Sequence, residues 1–171
     1  DLFSLQLNPS ISTEFENFQD TILLVDENKK DVSSSAGHSL MDNHPFSVDR
    51  YMIANKNTSA LKIILEKGDL FAFCELVEKE AMMLHSLMMT SSPSYVLMKP
   101  ETLEIIDKIK SFRNRNKVPV CFTLDAGANV HVLYPEKDSK SVLDFINSKL
   151  SKYCFQGKFI KDHLGKGPEK I

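Results

Sequence analysis

Residues 118–134 read VPVCFTLDAGANVHVLY, which is the pattern of two strands joined by a polar loop. Val118–Leu124 is rich in β-branched and aromatic side chains, and Val130–Tyr134 is apolar again. Asn-Gly or Asp-Gly alone would make a plain hairpin, whereas here the carboxylate of Asp125 ends an apolar strand. Gly127 allows the backbone either to turn with positive φ or to approach a ligand closely. Asp125 is therefore a candidate for a carboxylate at the mouth of a site, with a simple turn as the alternative interpretation.

The composition is typical of one globular domain. The chain has 171 residues, of which 42% are hydrophobic and 26% are charged, and a formal net charge of −2. This charge argues against a nucleic-acid-binding protein, and no apolar run reaches the ~20 residues that span a bilayer. The N-terminus lacks the basic start of a signal peptide, so we expect a soluble, cytoplasmic protein that binds neither nucleic acid nor membrane. Cys74, Cys121 and Cys154 have no C-x-x-C spacing and are predicted to be reduced and mostly buried.

The periodicity of apolar residues predicts an α+β fold in which helices pack on a mainly antiparallel sheet. Predicted strands cover residues 3–7, 21–25, 95–98, 118–124 and 130–134 and a short stretch after 155. Predicted helices cover residues 46–67, a segment from Leu70, residues 101–115 and a segment capped by Ser139 or Ser141.

Local signals support the helix boundaries. Gly68 is predicted to end the first helix, and Asp69 to cap the second, so that the two form an αα-hairpin. The third helix is predicted to bury Leu103 with the isoleucines that follow it, and its lysines and arginines between 108 and 117 are interpreted as a solvated face.

A polar segment, residues 29–44, has no apolar periodicity. Its three consecutive serines, Ser33, Ser34 and Ser35, lie beside Gly37 and offer the hydroxyl and backbone N–H donors of an anion-binding loop. A solvated Ser-rich turn is the alternative.

The histidines give little evidence of metal chemistry. His38, Asp42 and His44 lie close together in sequence but lack the ligand number and spacing of a zinc site, so no metal site is predicted. His85 follows an apolar stretch, where a histidine is most often structural.

Three ordered motifs resemble those of the mevalonate diphosphate decarboxylases, members of the GHMP kinase superfamily. They are KKDVSSSAGH at 29–38, LH at 84–85 followed by SPSY at 92–95, and TLDAGAN at 123–129. In that family the corresponding stretches look like K-K-x-V-S-S-x-x-G-M, F-H-A with a later P-P-x-x-Y, and F-D-A-G-P-N-A. The resemblance runs from about residue 2 to about residue 134 and implies the fold of the GHMP kinase C-terminal domain.

The resemblance also implies roles for the matching residues. Asp125 matches the catalytic Asp, which accepts the proton of a substrate hydroxyl. Ser34 matches a serine that contacts the substrate diphosphate. Ser35 and His38 stand where the family has Arg or Thr and Met. The remaining predicted substrate-binding residues are Ser33, Ser35, Gly127, Asn129 and His85.

The implied activity is ATP-dependent decarboxylation of mevalonate 5-diphosphate to isopentenyl diphosphate. The sequence contains no loop of the type P-x-x-x-G-L-x-S-S-A, so we expect ATP and Mg²⁺ to be bound mainly by a missing N-terminal domain. Residues 1–30 would be strands that continue from that domain, and residues 31–171 the GHMP-type C-terminal domain. Such a fragment is expected to be inactive alone, with a homodimer as one possible assembly.

Two further interpretations of the sequence remain open. One is a related GHMP kinase that phosphorylates a mevalonate derivative without decarboxylation. The second is a non-catalytic domain with the same fold.

Overall fold

The computed structural model describes residues 11–27 and 44–165, which form four helices and four strands. The helices are α1 (Ser47–Lys67), α2 (Leu70–Thr90), α3 (Pro100–Asn116) and α4 (Ser139–Phe145). The strands are β1 (Gln19–Leu23), β2 (Cys121–Leu124), β3 (Val130–Tyr134) and β4 (Phe159–His163). A π-helical turn, Ile146–Leu150, continues α4, and 3-10 turns lie at Thr13–Phe15, Glu136–Asp138, Ser151–Tyr153 and Phe155–Gly157. The strand predicted at 3–7 lies outside the described residues.

The strands form one antiparallel sheet in the order β2-β3-β1-β4. The hairpin predicted at 118–134 is confirmed, and β1 is an inner strand, as its continuous apolarity predicted. β1 lies within residues 1–30 yet pairs on both sides with strands from the rest of the chain. How the chain divides into domains stays a prediction.

One face of the sheet carries the core. Its buried apolar side chains are Leu23, Phe122, Leu124, Val130, Val132 and Tyr134. They join a single buried cluster with Ile105 and Ile109 of α3 and with Val142 and Ile146 of α4 and its π-turn. The Thr21 hydroxyl lies 2.7 Å from the Tyr134 hydroxyl, so the polar atoms inside this face satisfy each other. The predicted α+β class, with helices on an antiparallel sheet, is confirmed.

The αα-hairpin is also confirmed. Gly68 ends α1 with φ of 72°, a left-handed conformation that glycine adopts without a Cβ clash. The Asp69 carboxylate accepts a hydrogen bond from Ala72 N at 3.0 Å and so caps α2. α2 then packs beside the edge strand β2, where Cys74 and Cys121 are both buried. The three cysteines are free and buried, as predicted.

Three local predictions were wrong. Residues 95–98 form no strand, because Tyr95 N donates to Met88 O at 2.9 Å and the chain follows the end of α2 instead of a sheet edge. Leu103 is 50% exposed, and the buried face of α3 is Thr102, Ile105, Ile106 and Ile109. Ser139 is the first residue of α4 and Asp138 its N-cap, because the preceding 3-10 turn runs directly into the helix.

The basic face of α3 contains one buried exception. The Arg113 guanidinium donates to both carboxylate oxygens of Glu78, at 2.5 and 2.9 Å, and to Val120 O at 2.9 Å. The Arg113 and Glu78 side chains are only 11% and 7% exposed, so this pair joins α2, α3 and the start of the hairpin inside the fold. Within 11–27 and 44–165, no helix is long and apolar enough to cross a membrane.

Candidate functional site

The loop of residues 125–129 lies at one end of the sheet. Because the strands are antiparallel, Leu23 at the end of β1 is level with Val130 and with Phe159, and Leu124 is also level with Val130. The residues that follow β1 and β2 therefore leave the sheet on the same side. At this end of the sheet the loop contacts the segment after β1, the N-terminus of α3 and the second half of α2.

A buried histidine holds the start of the loop. His85 Nε2 lies 3.0 Å from the main-chain oxygen of Asp125, and His85 is only 1% exposed. A carbonyl can only accept, so Nε2 carries the proton and donates. Gly127 N donates to the same oxygen at 2.8 Å. The backbone of Asp125 is thus fixed, although the residue itself is exposed.

The imidazole of His85 is held in its neutral form. Burial lowers the pKa of His85 below its ordinary value, and the hydrogen bond to the Asp125 carbonyl opposes this only in part. A neutral imidazole donates this hydrogen bond without bringing a positive charge to the loop. His85 is therefore suited to positioning the loop.

A buried threonine holds the end of the loop. Thr102 Oγ1 donates to Ala128 O at 2.7 Å and accepts from Lys99 N at 3.1 Å. Thr102 is fully buried at the first turn of α3. The hydroxyl thereby links the loop to the N-terminus of this helix and satisfies one of its first N–H groups.

Asn129 connects the loop to the segment after β1. Its side-chain oxygen accepts from Asp26 N at 2.9 Å, and the Asp26 carboxylate lies 2.5 Å from Lys99 Nζ. Asn129 therefore braces the loop against the end of β1. The Asp26–Lys99 ion pair lies between that end and the start of α3.

The structure brings Asp125, Gly127, Asn129 and His85 together at this loop, and their roles in catalysis and substrate binding stay predictions. The positive-φ alternative for Gly127 was wrong, since Gly68 and Gly157 are the positive-φ glycines of the described residues. A close approach of ligand at Gly127 stays a prediction.

Ser33, Ser34 and Ser35 lie outside the described residues. The structure does describe residues close to both ends of the segment that contains these serines. Asp26 contacts Asn129, and His44 Nε2 lies 3.1 Å from Thr90 Oγ1, five residues beyond His85 on α2. The chain therefore both leaves and rejoins the described structure close to the elements that hold the loop.

Sequence reasoning missed three contributors to the site, Asp26, Lys99 and Thr102. Each contact joins residues far apart in sequence, and no local pattern marks a hydroxyl that will meet a loop carbonyl. The one local signal is the Lys-Pro pair before α3, which marks a helix start but not its partner. Within the described parts of the chain, no group of three His, Cys, Asp or Glu residues could hold a metal ion.

Comparison with known proteins finds one family model over most of the chain. Residues 21–169 match the family model of the mevalonate 5-diphosphate decarboxylase C-terminal domain. The chain is 30% identical over 91 residues to a phosphomevalonate decarboxylase of Haloferax volcanii, which is 53% of this chain and 28% of the relative. It is 24% identical over 143 residues to a diphosphomevalonate decarboxylase of Debaryomyces hansenii, which is 82% of this chain and 37% of the relative.

Solved structures show the same fold. Mevalonate pyrophosphate decarboxylase from Streptococcus pyogenes matches with a TM-score of 0.80 at 20% identity, over 96% of this chain and 48% of that one. MDDEF in complex with MVAPP, AMPPCP and magnesium matches with a TM-score of 0.73 at 22% identity, over 84% of this chain and 43% of that one. The chain thus spans less than half the length of these relatives.

Proposed function

The chain belongs to the family of mevalonate 5-diphosphate decarboxylase C-terminal domains, and on this basis we propose that it is the C-terminal part of an ATP-dependent decarboxylase. The substrate is mevalonate 5-diphosphate and the product isopentenyl diphosphate, an isoprenoid precursor. The observation that carries the proposal is the exposed Asp125 on a loop whose backbone is held by His85 and Thr102 and whose Asn129 side chain accepts from Asp26 N. A catalytic carboxylate needs this combination of access and fixed position.

Asp125 acts as the proton acceptor. The tertiary 3-hydroxyl of the substrate is a poor nucleophile, and a carboxylate within hydrogen-bonding reach takes its proton as the oxygen is phosphorylated. Phosphate then leaves with the electron pair of the C–O bond. The C–C bond to the carboxylate breaks, its electrons form the alkene, and carbon dioxide is released. The small residues Ala126 and Gly127 beside Asp125 leave room for the substrate.

Ser34 contacts the substrate diphosphate, with Ser33 and Ser35 beside it. The support is the match to the family motif and the position of the described flanks, Asp26 and His44, near the loop. Loss of the Ser34 hydroxyl in Ser34→Ala should therefore raise KM more than it lowers kcat.

ATP and magnesium are proposed as cosubstrate and cofactor of the whole protein. The complex of MDDEF with AMPPCP and magnesium supports this for the family. The described residues supply no group of three carboxylate, imidazole or thiol ligands, so we assign the metal to no residue among them and route no step through it. A cytoplasmic location and a homodimer stay predictions.

The test is turnover of the full-length protein, that is, this chain with any residues that precede it. We expect Mg-ATP and mevalonate 5-diphosphate to yield ADP, phosphate and carbon dioxide in equal amounts. Asp125→Asn should lower kcat by about 10²- to 10⁴-fold with little change in KM, because a general base contributes about that factor. Asp107→Asn makes the same chemical change at an exposed position of α3 and should leave turnover unaffected. Comparable losses in both variants, or none in either, would refute the role of Asp125.

Phosphomevalonate is the second candidate substrate. The relative from Haloferax volcanii, the more identical of the two curated proteins, carries that substrate in its name. Comparing kcat/KM for the two substrates decides between them.

Measuring ADP, phosphate and carbon dioxide also distinguishes a decarboxylase from a kinase and from a non-catalytic domain. A kinase that does not decarboxylate would release ADP without carbon dioxide or free phosphate. A non-catalytic domain would release none of them.

A further inference from the structure

A groove lies away from the loop. It has a volume of about 440 Å³ and runs between the C-terminal half of α3 and the wall formed by α4 and its π-turn. Thr102, which holds the loop, and Phe112, which lines the groove, are ten residues apart on α3, or about 15 Å along the helix. The groove volume is within the range of small-molecule sites.

Two stacked aromatic rings lie within the groove. The rings of Phe112 and Phe145 are 4.1 Å apart between centroids and inclined by only 11°. Phe145 is buried and Phe112 half-buried, and both line the groove. Each ring covers one face of the other and Phe145 is buried, so the apolar surface that the groove offers is the accessible part of the Phe112 ring, against which a flat ring can pack.

The rim of the groove carries two available cations. Arg115 on α3 and Lys149 on the π-turn are exposed, and within the described residues neither forms an ion pair. Arg115 uses only Nε, which donates to Ser111 O at 3.3 Å, so its two terminal nitrogens can reach a ligand. Asp144 is the one carboxylate among the lining residues, and it too lacks an ion pair in the described parts of the chain.

The wall that carries Lys149 is an unusual helix. At its end Ser151 N donates to Ile146 O, a bond across five residues, and the segment Ile146–Leu150 is π-helical. The wider turn keeps Ile146 and Leu150 buried while Ser148 and Lys149 line the groove. Single π-turns are rare and occur frequently at functional sites.

We propose that this groove binds a small aromatic anion, that is, a flat ring system carrying one carboxylate, sulfonate or phosphate group. The ring lies against the accessible part of Phe112, and the anionic group pairs with Arg115 and Lys149. Asp144 weakens this binding because its charge has the same sign as the ligand. The proposal is independent of the function of the 125–129 loop.

The test uses 1-anilinonaphthalene-8-sulfonate as the probe, since it combines flat rings with one sulfonate. Its fluorescence is titrated with the chain at low ionic strength. We expect the double variant Arg115→Gln/Lys149→Gln to raise Kd about threefold to tenfold, the factor that two exposed ion pairs contribute. Asp144→Asn should lower Kd. The matched control is Lys110→Gln, which removes an exposed cation of α3 that does not line the groove and should leave Kd unchanged.

Amide NMR of the same samples locates the probe. Shifts in residues 108–116 and 141–149 that disappear in the double variant support the proposal. Shifts elsewhere, or an equal change of Kd in Lys110→Gln and the double variant, overturn it. The substituted side chains are exposed, so we expect all variants to fold. Circular dichroism of each variant checks this.

Discussion

His85 Nε2 donates a hydrogen bond to the main-chain oxygen of Asp125 at 3.0 Å, across forty positions of sequence. The donor is buried on a helix, and the acceptor belongs to an exposed residue of a loop. A rigid element thus fixes the backbone from which the candidate catalytic carboxylate projects, and the carboxylate itself takes no part in the bond.

Replacing His85 should loosen the loop. His85→Leu leaves the Asp125 carbonyl without its side-chain donor and should lower the free energy of unfolding by about 1–3 kcal/mol. His85→Gln keeps an N–H donor and should cost less. Chemical denaturation measures both, and hydrogen exchange of the Gly127 amide should quicken in His85→Leu more than in His85→Gln. Equal exchange in the two variants would show that the histidine does not hold the loop.

The stability of the chain should fall in mild acid through the same histidine. The folded pKa of His85 lies below the ordinary value of 6.5, because burial disfavours the charged imidazolium. The unfolded chain therefore binds more protons than the folded one as the pH falls below about 6.5, and stability is lost there. His85→Gln lacks this titration, so its free energy of unfolding should decline less between pH 7.5 and pH 5.5 than that of the wild type. Parallel declines would contradict the shifted pKa.

Breaking the buried ion pair should be costly. Arg113→Met leaves the Glu78 carboxylate buried without its partner and should destabilise the chain by about 3–5 kcal/mol. Arg113→Met combined with Glu78→Leu removes both charges and should recover much of that loss. The matched comparison is the solvent-screened pair Lys108–Glu104, where Lys108→Met should cost far less than Arg113→Met. Thermal unfolding of the four proteins distinguishes these outcomes.

Alanine substitutions at Gly68 and Gly157 should separate the cost of a left-handed backbone from the cost of a steric clash at the added Cβ. Both have φ of +72°, so alanine is strained at either position. A Cβ at Gly68 would lie 2.6 Å from Ser12 Oγ, whereas at Gly157 its nearest neighbour would be 3.9 Å away. Gly157→Ala should therefore cost about 1–2 kcal/mol from the left-handed backbone alone, and Gly68→Ala measurably more. Equal destabilisation would mean that Ser12 moves aside freely.

Much of the fold could be predicted from local patterns. Gly68 and Asp69 mark the turn of the αα-hairpin, because a left-handed C-cap and a side-chain N-cap each depend on a single residue type. The hairpin of β2 and β3 follows from two apolar stretches, the first rich in β-branched and aromatic residues, on either side of a polar loop. The prediction failed at residues 95–98 because strand-like residues need a neighbouring strand, and Met88 O offered a closer partner.

Part of the candidate site was also predictable. The D-A-G-A-N loop and the LH motif carry residue types whose chemistry is visible in sequence, so Asp125, Gly127, Asn129 and His85 could be named together. Arg113 shows the limit of this reasoning. The basic residues near it in sequence, Lys110 and Arg115, are exposed, and nothing local indicates that Arg113 will pair with the buried carboxylate of Glu78.

The sequence by itself determined the elements of this protein, its family and the identity of the exposed carboxylate, because periodicity, caps and short motifs act over a few residues. Only the tertiary structure decided which atoms hold the loop that carries that carboxylate. The contacts of His85 with Asp125, of Thr102 with Ala128 and of Asp26 with Asn129 join residues 26 to 103 positions apart. A hydrogen bond requires donor and acceptor atoms within about 3 Å of each other. These contacts therefore form only after the antiparallel sheet has aligned its strand ends and the helices have packed beside that end.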